Sequence, residues 1–185
     1  MEINLKVGFI GLGNMGAPMA LNLAKGGNAV FGFDTDSSIK IPEITMTPCI
    51  PSLLKKVDVV FTMLPSGLIV KDIVNEFIGE FSAKSTLIDC STIDVKTTKE
   101  LCKILHKNDI FMLDAPVSGG VKGANSGSLT FMVGGNNELF ERFKFLFDYM
   151  GNRAVYCGKT GSGQSAKICN NMILGVTMIA TCESF

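Results

Sequence analysis

The sequence predicts an α/β fold: a mainly parallel β-sheet, doubly wound by helices, followed by the start of a helical region. Two observations carry this expectation. Short segments rich in β-branched and aromatic residues alternate with segments whose apolar residues recur at helical spacing, as in parallel sheets covered on both faces. A glycine-rich turn also joins the first strand-like segment directly to the first helix-like one.

KVGFI, Lys6–Ile10, reads as the first strand. NMGAPMALNLAKG, 14–26, reads as a helix, because Met15, Met19 and Leu23 share one face and the segment stops at a glycine. Further strands are expected at AVFGF (Ala29–Phe33), VDVVFTM (57–63), TLID (Thr86–Asp89), IFMLD (110–114) and LTFMV (129–133). Asp94 is placed to cap a helix over Val95–Lys107, whose Leu101, Ile104 and Leu105 form an apolar stripe. A third amphipathic helix is expected over Asn137–Met150, with its phenylalanines directed into the core. SGGVKGANSG, 118–127, reads as a glycine-rich loop.

Composition narrows the function classes. The 185 residues hold 17 basic and 17 acidic side chains, and no run of like charge marks a nucleic-acid or membrane surface. The longest apolar run, 172–182, is too short to cross a bilayer. Six scattered cysteines without a C-x-x-C pair, and the lone His106, give no metal-binding pattern and read as free thiols. A strand beginning at Lys6 leaves no room for a targeting peptide, so the expected setting is cytoplasmic, or the mitochondrial matrix after removal of a presequence.

The first strand runs into GLGNMG, which places Gly11, Gly13 and Gly16 as G-x-G-x-x-G between strand and helix. Gly11 permits the tight turn, Gly13 admits a pyrophosphate to the backbone, and Gly16 brings helix and strand together. Leu12, Asn14 and Met15 belong to the same turn. Unpaired amides at the helix start then face the phosphates. This is the fingerprint of a Rossmann-type dinucleotide site.

Asp34 ends the second strand, where an acid accepts hydrogen bonds from a ribose and repels an added 2′-phosphate. No arginine stands beside it, so NAD is expected rather than NADP. Leu64 and Pro65 of MLPSG, together with Thr92 of CSTID, follow later strands at the same sheet edge and complete the cofactor candidates.

Two stretches remain for a substrate. Ser118, Gly119 and Gly120 offer a hydroxyl and closely spaced amides that suit a carboxylate. In GQSAKICNN, 163–171, Lys167 and Asn171 are four residues apart and share a helix face. A dehydrogenase must remove the proton of the alcohol as hydride leaves, and a desolvated lysine is able to take it.

FIGLGNMGAPMALNL, TMLP, STID, DAPVSGG, GSLTFMVGG and GQSAKICNN occur in the order found in the β-hydroxyacid dehydrogenases, and the chain resembles that family over nearly its whole length. The resemblance implies oxidation of 3-hydroxyisobutyrate to methylmalonate semialdehyde with NAD, a step of valine breakdown. It implies Lys167 as acid/base, Asn171 as its substrate-orienting companion, and Ser118, Gly119 and Gly120 on the substrate carboxylate, with Asn170 also touching substrate. Ile69 stands where related sequences often have a polar residue.

The same resemblance implies a homo-oligomer and a second, all-helical domain after the helix that starts near Gln164. Residues 1–163 are therefore expected to form the NAD-binding domain, and 164–185 the first part of an interdomain helix in a truncated chain. Two other readings stay open. One is an NADP-linked or tartronate or succinic semialdehyde reductase of the same family. The other is a non-catalytic dinucleotide-binding module.

Overall fold

A computed structural model describes residues 5–185. Six parallel strands form its main body: β1 (Lys6–Ile10), β2 (Ala29–Phe33), β3 (Thr45–Met46), β4 (Val59–Thr62), β5 (Thr86–Asp89) and β6 (Phe111–Asp114). Their spatial order is β3-β2-β1-β4-β5-β6, the doubly wound order whose direction of winding reverses between β1 and β4. Ligands bind such sheets at the carboxyl ends of the strands flanking that reversal.

Beyond β6 the sheet turns antiparallel. β7 (Val117–Ser118) and β6 both pair with β8 (Leu129–Gly135), while β9 (Gly151–Gly158) lies parallel to β8 on its other side. β9 and the two-residue strands β3 and β7 had no signal in the sequence reading. In β9 the exposed Asn152 and Arg153 interrupt any apolar run, so pairing with β8 rather than local pattern makes it a strand.

The helices α1 (Gly16–Lys25), α5 (Gly120–Asn125) and α6 (Asn137–Met150) cover one face. There Phe9, Phe61, Phe131, Phe143 and Phe147 pack with Met19 and Leu23, all but excluded from solvent. The phenylalanine-rich helix is thus core, with Phe131 and Phe147 ring centroids 4.9 Å apart. The opposite face is closed by α2 (Ile50–Leu54), α3 (Gly67–Phe77) and α4 (Val95–Lys107) over Ile10, Leu53, Val60, Leu87, Leu101 and Leu105. Asp94 caps α4 as expected, its carboxylate accepting from the Thr97 amide at 2.8 Å.

One expectation is corrected here. The glycine-rich stretch after Ser118 is not a loop throughout, because Gly120–Asn125 closes into the short helix α5. Asn22 on α1 fixes it by donating to the Ala124 carbonyl at 2.8 Å, a tertiary contact that local composition does not announce.

The last helix, α7 (Ser162–Glu183), starts against β8, β9, β6 and α4 and then leaves the body. Gly163 and Gln164 are buried, whereas Met172, Ile173, Val176 and Ile179 are each more than 60% exposed. No described helix is long and apolar enough to cross a membrane.

Candidate functional site

The glycine turn lies at the carboxyl end of β1. Gly11 has φ 93°, and a Cβ there would collide with the Met63 carbonyl, so only glycine makes this turn. A Cβ on Gly16 would overlap the Gly11 carbonyl oxygen, which explains how α1 starts directly against β1. Gly13 differs from both: a Cβ there would meet nothing within 4 Å, and its backbone is open to a ligand.

Asp34 ties this turn to the end of β2. Its Oδ2 accepts from the Leu12 amide at 2.6 Å, and its Oδ1 accepts from the Asp36 amide at 2.9 Å. The Leu12 side chain is in the core, so that residue faces the site only through its backbone. The amides of Gly13, Asn14 and Met15 have no acceptor among the described residues, and Asn14 is exposed beside the start of α1. These are the donors and the positive helix end that a diphosphate requires.

A cavity of about 470 Å³ opens beside the turn. Gly11, Gly13, Asp34, Leu64 and Pro65 line it, and Ile69, Ile73 and Phe77 of α3 add an apolar wall. Ile69 thus extends an apolar wall suited to a flat base. The mostly apolar lining with a few convergent polar groups is the usual make-up of a cofactor pocket.

Thr92 stands apart from this cavity, exposed on the loop between β5 and α4. The residues on either side of it are held tightly. Gln164, buried on α7, donates from Nε2 to the Ser91 carbonyl at 2.7 Å and accepts at Oε1 from the Ile93 amide at 3.2 Å. Ser91 in turn accepts at Oγ from the Leu64 amide at 2.9 Å, so the loops after β4 and β5 are joined.

Asp114, at the end of β6, holds the start of α7. Its carboxylate accepts from the Gly161 amide at 2.7 Å and from the Gln164 amide at 3.0 Å, satisfying donors that a helix N-terminus leaves free. Burial pushes this carboxyl above its ordinary pKa, and those amide bonds pull against the rise. A Cβ on Gly163 would strike the Met132 carbonyl, so the helix approaches the sheet as closely as a backbone can.

This anchoring brings Lys167 to the carboxyl edge of the sheet. Lys167 and Asn171 follow Gln164 by three and seven residues, on the same face of α7. Lys167 is half-buried, and desolvation holds its ammonium below the ordinary lysine pKa. Asn171 and Asn170 are exposed, with Asn170 Nδ2 donating to Asn171 Oδ1 at 3.4 Å. Ser118 ends β7, Gly119 follows it and Gly120 opens α5, and both glycines have positive φ, at 133° and 60°.

Asp114, Gln164, Ser91 and Asp89 drew no role from the sequence. Asp114 and Gln164 stand within DAPVSGG and GQSAKICNN, and the one available signal was an acid closing an otherwise apolar strand, FMLD. Their role comes from contacts across 50 and 73 positions, which no local pattern contains.

The six-strand order, the glycine turn against an open cavity, and the acid at the end of β2 together define a Rossmann-type dinucleotide-binding domain. The chain belongs to the family described as the NAD binding domain of 6-phosphogluconate dehydrogenase, whose model matches residues 6–158. It is 44% identical to the mitochondrial 3-hydroxyisobutyrate dehydrogenase of Mus musculus, over 100% of the chain and 57% of that protein. A probable 3-hydroxyisobutyrate dehydrogenase of Mycobacterium bovis is 39% identical over 97% of the chain and 62% of its own length. A solved structure of 3-hydroxyisobutyrate dehydrogenase from Mycobacterium tuberculosis with L-serine superposes with TM-score 0.95 at 38% identity, covering 99% of the chain and 64% of that protein. The chain thus spans about three-fifths of the length of these relatives.

Proposed function

We propose that the chain is the cofactor-binding portion of an NAD-dependent dehydrogenase that oxidises 3-hydroxyisobutyrate to methylmalonate semialdehyde in valine breakdown. The single observation that carries the reading is the anchoring of α7 at the end of β6, where Asp114 accepts from the Gly161 and Gln164 amides one turn before the half-buried, desolvated Lys167. The names of the mouse and mycobacterial relatives support the choice of hydroxy acid.

The site fits NAD: the amides of Gly13, Asn14 and Met15 suit the diphosphate, and Asp34 suits an unphosphorylated ribose. Leu64 and Pro65 line its path, and Thr92 serves its nicotinamide side. When bound, NAD supplies the hydride acceptor. Lys167 in its neutral form takes the proton of the substrate hydroxyl as the carbinol C–H bond yields hydride and the C=O bond forms. Asn171 orients that hydroxyl, Asn170 touches the substrate, and Ser118, Gly119 and Gly120 hold its carboxylate.

In this reading residues 1–163 are the NAD-binding domain, and 164–185 begin the helix leading to a second domain and to a homo-oligomer. The family match over residues 6–158 supports the extent of the first part, and the relatives are longer than the chain. The six unpaired cysteines suit a reducing compartment, and the mouse relative is named as mitochondrial. The complete enzyme, assayed for NADH formation with 3-hydroxyisobutyrate and for NADH and NADPH consumption with tartronate semialdehyde and succinic semialdehyde, tests the function. The largest kcat/KM is expected for 3-hydroxyisobutyrate with NAD, and a preference for either semialdehyde with NADPH overturns it.

A further inference from the structure

We propose that Gln164 is a positioning residue that couples the cofactor loop to the acid/base helix, its side-chain amide clamping the peptide groups on either side of Thr92 while its own helix carries Lys167 one turn on. The proposal rests on the reading of Lys167 as the proton acceptor beside the nicotinamide.

The clamp is complete. Gln164 is fully buried, and its amide faces one donor, the Ile93 N–H, and one acceptor, the Ser91 carbonyl. That pairing fixes which end of the amide is oxygen and which is nitrogen. Two parallel bonds to adjacent peptide groups set both the distance and the rotation between α7 and the loop. An apolar side chain of the same length would fill the space but leave two buried backbone groups unmatched.

Holding the helix in place does not require this side chain. Asp114 already receives the backbone amides of Gly161 and Gln164, and Gly163 seats the helix against Met132. The side chain instead reaches the 91–93 loop, and from there hydrogen bonds run on to the cofactor cavity. Ser91 Oγ accepts from the amide of Leu64, a cavity-lining residue, and the Ser91 amide donates to Asp89 Oδ1 at 3.1 Å. One continuous path therefore links the cavity wall to the turn that precedes Lys167. Hydride and proton leave neighbouring atoms of one substrate, so the separation of nicotinamide and lysine has to be held closely for both transfers.

The test uses the chain with its lysines ¹³C-dimethylated, the Lys167 signal being assigned with Lys167→Arg. The Lys167 titration is followed by NMR with saturating NAD⁺ and with saturating NADH. The oxidised ring is cationic and the reduced ring neutral, so in the unsubstituted chain Lys167 should titrate about one pH unit lower with NAD⁺. In Gln164→Met that difference should fall to about a third or less, while NAD⁺ affinity by calorimetry stays within about threefold. Ser91→Ala, which removes the hydroxyl acceptor of the Leu64 amide and so cuts the same path at its cavity end, makes the same test if the methionine variant does not fold.

A full difference retained in the variant overturns the coupling. So does a loss of NAD⁺ affinity beyond about tenfold, which would make Gln164 a support of the cofactor site as a whole. No difference between NAD⁺ and NADH in the unsubstituted chain would instead remove Lys167 from the nicotinamide, and the underlying reading would fail with the proposal.

Discussion

Asp89 and Asp114 lie side by side across β5 and β6, paired in register and both fully buried at the carboxyl edge of the sheet. Their carboxylates are not equally matched. Asp114 uses both oxygens on the start of α7. Asp89 uses only Oδ1, which accepts from Thr62 Oγ1 at 2.8 Å and from the Ser91 amide, and its buried Oδ2 has no partner among the described residues.

Burial pushes the Asp89 carboxyl up to about 6, against the pull of the Ser91 and Thr62 hydrogen bonds, with nearby Asp114 adding to the rise. The unfolded value is about 3.9. Between those two values the folded chain binds more protons than the unfolded one. The contribution of Asp89 to stability is therefore fully present below about 4 and is lost as the pH rises through about 6. Asp89→Asn keeps the accepting oxygen and removes the charge. At pH 7.5 the variant should be more stable by about 1 to 3 kcal/mol, an upper limit set by two pKa units at about 1.4 kcal/mol each. Urea denaturation from pH 4 to 7.5 measures it, and identical pH slopes in the two proteins would rule Asp89 out as the titrating group.

Lys167→Ala in the complete enzyme should lower turnover by about a hundredfold or more, the scale of general acid/base catalysis. NAD affinity should hardly change, since Lys167 lies outside the glycine-turn cavity. Steady-state kinetics with a parallel cofactor titration separates the two effects. A collapse of NAD binding would mean that the lysine serves the cofactor and not the proton.

The exposed half of α7 yields a third expectation. Met172, Ile173, Leu174, Val176, Met178 and Ile179 are 55 to 67% exposed and leave the helix apolar nearly all round. The 185-residue chain, expressed alone, should associate through this surface and show little dehydrogenase activity. Ile173→Glu combined with Ile179→Glu should shift sedimentation toward the monomer. An active, monodisperse monomer of the unsubstituted chain would contradict both parts.

The central sheet was legible because each of its buried strands is a short apolar run between turn residues, as at Lys6–Ile10 and Thr86–Asp89. The glycine turn and Asp34 were legible because their spacing is local to one β-α-β unit. β9 was not, since three of its eight residues are exposed and its order comes from β8. The hub of the site was hidden for a related reason. Gln164 reads as an ordinary helix residue until the fold sets it against Ser91 and Ile93, and the same holds for Asp114 against Gly161.

The central claim is that this chain holds NAD through the glycine turn and that Asp34 selects it over NADP. Calorimetric titration of the 185-residue chain with both dinucleotides tests this most directly, alongside Asp34→Ser. NAD should bind more tightly, and the substitution should narrow the preference by about 1 to 3 kcal/mol, the cost of a lost charge-assisted hydrogen bond. Equal affinity for the two cofactors, or a preference for NADP that Asp34→Ser leaves unchanged, would contradict the account.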